Sequence, residues 1–392
     1  MGSEAILILV VVVAVCFDFT NGFHDTANAV ATSIATGALK PRYAVAMSAA
    51  FNLIGAFVSI KVAATIAKGI VNPHVLVGGD GLDLVFAALI GAILWNLITW
   101  YFTMPSSSSH ALIGGIVGAT LVASGAKAVS FHELAQTVLA PAVLSPIICL
   151  LVAATGTFGV YKLIRLIGVD EAKTGYRYGQ IGSAALVSLA HGTNDAQKTM
   201  GVISLALIAH GDISANHFYV PVWVKLACAL AIALGTAIGG WRIINTMGNR
   251  LTEIESPQGF SAETASAAVI LASSYYGYPL STTHVVSGGV MGAGVGKKLA
   301  SVRWSVAGQM ATAWLFTIPA AGAMGALVWE VARIFGSHST FGAYVMALAA
   351  AAAAFGLFRL AQRNTVTAKD LDRTAASGPL PPGPPAMTPA VG

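Results

Sequence analysis

Apolar residues run along most of this chain in stretches of about twenty, separated by short polar interruptions. An α-helix crosses the roughly 30 Å hydrocarbon core of a bilayer in about 20 residues, so the pattern predicts many membrane-spanning helices. They fall near 43–60, 84–104, 110–126, 137–160, 179–209, 219–240, 261–277, 284–296, 305–330 and 342–358. The first segment, 5–38, would be about 50 Å long as one helix, and Asn21-Gly22 near its centre predicts a break. Residues 5–17 lack a basic leader and lead directly into Asp18, His24 and Asp25, so they read as part of the fold rather than a signal peptide. The alanines of 347–354 read as helix filling.

The polar interruptions come in copies. Residues 21–28 read NGFHDTAN and 191–198 read HGTNDAQK; a shift of 170 sets Gly22 on Gly192, Asp25 on Asp195 and Asn28 on Lys198. PSSSSH at 105–110 matches PLSTTH at 279–284, and Gly114, Gly115 and Gly118 then fall on Gly288, Gly289 and Gly292. The chain therefore divides into a first repeat (1–160), a basic linker (161–178), a second repeat (179–335), a final span (336–360) and a Pro/Gly-rich tail (361–392) expected to be disordered. Let the N-terminus be outside, and let 84–126 and 261–296 return to the side they enter from. Most Lys and Arg then collect on one side, which the positive-inside rule makes cytoplasmic together with the tail. In that arrangement the halves are inverted. The fold class is an all-α polytopic membrane protein of two inverted-topology repeats, with broken helices and Ser/Thr-tipped hairpins.

Composition narrows the function. The 392 residues are 56% hydrophobic and 9% charged, with mean hydropathy +0.75, whereas soluble domains carry about 25% charged residues. A net charge of +5 is too small to suggest a nucleic-acid partner. Cys16, Cys149 and Cys228 sit in apolar stretches and read as small buried hydrophobes. GxSxG, HExxH and P-loop patterns are absent, so neither an enzyme nor a bound cofactor is expected.

An aspartate inside a bilayer costs at least about 2.5–3.5 kcal/mol, which makes it a functional candidate. On a helix Asn21, Asp25 and Asn28 share one face, and so do His191, Asp195 and Lys198. Carboxylate and amide oxygens suit a hard cation, which makes Asp25, Asn28 and Asp195 candidate sodium ligands. The alternative is that these groups only satisfy one another. Hydroxyls at 106–109 and 281–283 stand at helix starts, where free N–H groups and the helix dipole favour an anion. Capping alone needs one such residue, not three or four. The repeated glycines suit close helix packing, and His110 and His284 are either structural or proton carriers. Together these features imply an oxyanion importer coupled to a cation.

At these residues the chain resembles the inorganic phosphate transporter (PiT) family, whose duplicated signature G-x-N-D-x-x-N is present in altered form as NGFHDTAN and HGTNDAQK. The resemblance runs to about residue 360. It implies a twelve-helix-like inverted-repeat transporter of the cell membrane, often a homodimer, that imports inorganic phosphate, alone or as a complex with a divalent metal. It implies Ser108, Ser109, Thr282, Thr283, Asn194 and Gln197 as phosphate ligands, and Asp25, Asn28, Asp195 and Lys198 as the group coupling transport to H+ or Na+. Lys198 departs from sodium-coupled relatives, which carry Asn there; NDAQK is similar to proton-linked bacterial members. An ammonium can take the place of a sodium ion by pairing with Asp25 or Asp195, unless Lys198 snorkels to an interface. A sulphate permease of the same fold and a sodium-coupled symporter are the nearest alternatives, and an ion channel the alternative of another class.

Overall fold

In lipid a chain must satisfy its own backbone hydrogen bonds, and helices do so within one segment. The computed structural model describes residues 2–71, 81–167, 169–297, 302–336, 340–361 and 366–377. The first repeat contributes α1 (Gly2–Ala35), α2 (Pro41–Gly55), α3 (Lys61–Lys68), α4 (Gly81–Tyr101), α5 (Ser108–Ser124) and α6 (Ala140–Ile167). The second contributes α7 (Val169–His210), α8 (Val222–Ile238) with a continuation over Trp241–Arg250, α9 (Ser256–Tyr276), α10 (Thr282–Lys297) and α11 (Trp304–Ile334). Two more helices follow, α12 (Thr340–Ala361) and α13 (Ala368–Ser377). Among the described residues five helices are long and apolar enough to cross a membrane, six if α8 and its continuation count as one span.

The repeats exchange partners. Gly22 of α1 meets α8, where a Cβ on it would lie 2.4 Å from the Ile232 carbonyl oxygen; Gly192 of α7 meets α2, 2.2 Å from that of Asn52. Each first helix thus crosses the second helix of the other repeat. The hairpins repeat the exchange: Gly114 and Gly118 of α5 lie against Ile318 and Gly322 of α11, and Gly288 and Gly292 of α10 against Pro146 and Leu150 of α6. Even the two isolated bridges, Val71 with Val129 and Thr252 with Val302, stand at corresponding places. The tip helix of each hairpin thus leans on the other half, so the site between them forms only when both are folded.

These crossings correct one expectation. α1 and α7 run unbroken through Asn21-Gly22 and His191-Gly192. Glycine costs a helix only about 1 kcal/mol relative to alanine, and here it serves close backbone approach. The bend lies elsewhere, at 61° between α8 and its continuation, where Gly239 has φ +77°. Gly192→Ala should therefore destabilise the protein by about 1–3 kcal/mol through overpacking. Gly159→Ala, whose Cβ meets nothing within 4 Å, should leave thermal melting nearly unchanged.

The basic linker 161–178 is helical on both sides of residue 168, and two smaller expectations change. Within 361–392 the residues of α13 are helical, and 378–392 lie outside the described residues. Thr367 and Asp370 cap α13: the Thr367 hydroxyl donates to the Asp370 carboxylate at 2.6 Å, and hydrogen bonds from Thr367 hold that carboxyl below its ordinary pKa. Cys149 and Cys228 are buried, but Cys16 is exposed, lining a lateral cavity.

Candidate functional site

Ser107 and Ser281 each receive a backbone N–H from the third residue on, His110 and His284, at 3.1 and 3.3 Å. They are the caps of α5 and α10, which frees the next two hydroxyls in each hairpin for other work. Those four, Ser108, Ser109, Thr282 and Thr283, are buried and converge on the motifs of α1 and α7.

The convergence repeats across the halves. Ser108 Oγ lies 2.6 Å from Asp25 Oδ2, and Thr282 Oγ1 donates to Asp195 Oδ2 at 3.2 Å. Between the repeats, Asn28 Nδ2 donates to Thr283 Oγ1 at 3.0 Å, and Lys198 Nζ donates to Ser109 Oγ at 2.5 Å. Ser108 Oγ is also 2.6 Å from Asn21 Oδ1, and a single hydroxyl hydrogen serves only one of its two neighbours at a time.

Where the copies differ, the charges differ. Lys198 is 1% exposed and does not snorkel. Its ammonium donates to Asp195 Oδ1 and to the Leu280 carbonyl at 2.6 Å, so its partner is Asp195. Asn28 offers no charge to Asp25, which lies instead 2.6 Å from His24 Nδ1. His191 Nε2 stands 3.1 Å from Asp195 Oδ2, and His191 Nδ1 lies 3.0 Å from the Asn52 side-chain oxygen. Ligand atoms of Asp25, His191 and Asp195 lie within 4.8 Å of one another, all buried. Two carboxylates so close repel unless a proton or a cation lies between them, so this triad suits a small cation. Asn28 turns its amide nitrogen toward Thr282 and Thr283.

Not every expected ligand joins this cluster. Gln197 Oε1 accepts from Val62 N at 2.9 Å, serving the start of α3, and its amide nitrogen donates to Thr193 O. Asn194 Nδ2 donates to Ser274 Oγ at 2.8 Å and to Tyr278 O at 3.3 Å, bracing the second hairpin. His110 and His284 stack edge to face with ring centroids 4.7 Å apart.

Three participants went unread in the sequence, and a fourth, Asp18, read there as equally apt to be functional or to lie near an interface, proves buried. Asn52, whose amide donates to Thr236 Oγ1, and Thr99, 3.4 Å from His24 Nε2, hold the two histidines. Buried Glu263 accepts from Thr32, Ser183 and Gln180 at 2.5, 2.6 and 3.3 Å. Asp18, two turns before Asp25 on the same face of α1, has both carboxyl oxygens buried with no hydrogen-bond partner. For Asn52, Thr99 and Glu263 the available signal was the one that exposed Asp25: a polar residue inside an apolar span.

Ser109→Ala and Thr283→Ala should each weaken half-saturation by the expected oxyanion about 10–100-fold, the worth of a hydrogen bond to a charged ligand. Ser107→Ala and Ser281→Ala should instead lower stability by about 1 kcal/mol. Uptake curves and melting of the four variants separate the two roles.

Inversion decides the class. Two half-sites facing opposite ways can present one cargo to either side of a membrane in turn, and the donors gathered here suit an oxyanion. Fold and site are those of a multi-pass membrane transporter. A model of the phosphate transporter family matches the chain twice, over residues 21–169 and 165–325. A probable low-affinity inorganic phosphate transporter of Mycobacterium tuberculosis (strain ATCC 25618 / H37Rv) is 56% identical over 333 residues, 85% of this chain and 79% of that protein. One of Bacillus subtilis (strain 168) is 45% identical over 329 residues, covering 83% and 96%. A solved structure of a sodium-dependent phosphate transporter superposes with TM-score 0.74 at 25% identity, covering 84% of this chain and 99% of that one. The chain belongs to the phosphate transporter family. Its work is transport, not catalysis.

Proposed function

We propose that this transporter imports inorganic phosphate together with protons, and that the Lys198 ammonium occupies the place of one coupling cation. The observation that carries this reading is the burial of Lys198 against Asp195 at the position equivalent to Asn28. Asp25 and Asp195 against Lys198 leave one net negative charge at the site, counting histidines as neutral. A phosphate dianion deepens that deficit in a low-dielectric setting, so positive charge must enter with it.

Asp18 is the carboxyl best suited to carry a proton. Charged and titratable groups acting on it are Asp195, Lys198 and the Cys228 thiol, while Thr199 and Asn21 approach without hydrogen-bond geometry. A buried carboxylate without a partner is far more costly than a buried neutral carboxyl. The Asp25, His191 and Asp195 triad supports a further reading in which a divalent metal enters with phosphate as cargo. Phosphate is favoured over sulphate because HPO₄²⁻ can donate a proton to the Asp25 carboxylate beside Ser108, and sulphate cannot.

Proteoliposome uptake under separately imposed pH and sodium gradients, with and without divalent metal, tests the reading. Labelled phosphate should accumulate with a proton gradient alone, and excess sulphate should not compete. Accumulation that follows only sodium would sink the proton reading.

A further inference from the structure

The last membrane-spanning helix, α12, has no counterpart in either repeat, and it covers a cavity. Between α12 and the faces of α1, α4 and α8 lies a lateral space of about 660 Å³ with almost wholly apolar walls. Ala347, Ala350, Ala351 and Ala354 of α12 face it at helical spacing. The alanine run that reads as filling in the sequence thus keeps the helix from closing on its neighbours. On α1 the lining runs from Val13 to Phe23, about 15 Å along the axis and about half the hydrocarbon thickness. That is the depth of one leaflet.

One end of the cavity is not apolar. Arg242 lines it, with its guanidinium carbon 5.7 Å from the Trp100 ring and 5.8 Å from the Tyr101 ring. Arg242 Nη1 is buried without a hydrogen-bond partner, and among the described residues Arg242 makes no ion pair. A half-buried guanidinium with one buried nitrogen left idle suits an oxyanion. Arg242 stands just past the bend that ends α8, whose 17 residues cover about 26 Å, near the depth where hydrocarbon gives way to headgroups. The Lys and Arg distribution makes that side cytoplasmic, the leaflet that carries anionic lipid. Phosphate in transit is the poorer occupant: the walls offer it almost no polar contact, and Asp25 lies on the opposite side of α1 from Phe23.

We propose that this cavity is a binding site for an anionic phospholipid, with one acyl chain between α12 and the repeats and the phosphodiester on Arg242. The bound chain also packs against Gly239, at the bend between α8 and its continuation.

Native mass spectrometry of the delipidated full-length protein tests this, with phosphatidylglycerol or phosphatidylcholine of identical acyl chains added back. Phosphatidylglycerol should be retained about tenfold better or more, the worth of a charge-assisted hydrogen bond. Arg242→Gln should erase the preference. Ala351→Trp should lower retention of both lipids with Arg242 intact, and melting in lipid-free detergent reports whether each variant is folded. Equal retention of the two lipids, or an unchanged preference in Arg242→Gln, overturns the proposal. Displacement of phosphatidylglycerol by millimolar inorganic phosphate overturns it as well, assigning Arg242 to the substrate path. If Ala351→Trp alters the dimer fraction and leaves lipid retention untouched, the cavity belongs to a second copy of the chain and the proposal fails.

Discussion

Asp25→Asn and Asp195→Asn are each expected to lower phosphate uptake by at least about 100-fold. Asparagine preserves size and hydrogen-bonding shape but removes the charge that either binds a cation or accepts a proton. The two variants should differ in stability. Asp25 has a histidine and a serine as neighbours and no fixed cation, so its loss should leave melting close to wild type. Asp195 is the buried partner of Lys198, and removing one member of such a pair costs about 3–5 kcal/mol. Asp195→Asn should therefore reach the membrane in smaller amounts. The double variant Asp195→Asn/Lys198→Gln, which removes both charges, should recover most of that stability and none of the uptake. Wild-type uptake per molecule in either single variant would show that the carboxylates are structural.

Lys198→Asn makes the two motifs alike at the position where they differ, and it should change what drives transport. The substitution withdraws the ammonium from Asp195, Ser109 and Leu280 O. Asp195 then needs a mobile cation, and an Asn oxygen can help to hold one. Uptake driven by a pH gradient should fall by about tenfold or more, and external sodium should restore part of it. Uptake measured against sodium concentration in the variant and the wild type checks this. Wild-type proton-driven uptake with no response to sodium would reduce Lys198 to a packing residue.

Much of the fold was legible because a bilayer imposes a one-dimensional rule. Length and hydropathy place the spans, and α4, α6, α11 and α12 fall where the apolar runs predict them. The hairpin hydroxyls were legible too, because Ser/Thr ahead of an apolar helix has few meanings and a second copy removes most of the ambiguity. Asn21-Gly22 was misread because a glycine inside a helix has two uses, a break or a close crossing, and local sequence does not tell them apart. Gln197 and Asn194 lie within the second motif and yet serve α3 and the second hairpin. A position three residues from Asp195 or beside it shows which turn of the helix it occupies, not which neighbour that turn meets.

By itself the sequence determined that the chain is a duplication, that it lives in a membrane, and that it carries one acidic motif and one hydroxyl tip per half. Those properties follow from residue identity and spacing along a single helix. Only the tertiary structure decided that each half lends its first helix and its hairpin to the other, that Lys198 belongs to Asp195, and that His191 joins the two carboxylates. The reason is physical: such contacts depend on which backbones approach within a few ångströms across some 170 residues of chain. Hydrophobic periodicity says which face is buried and is silent about what buries it.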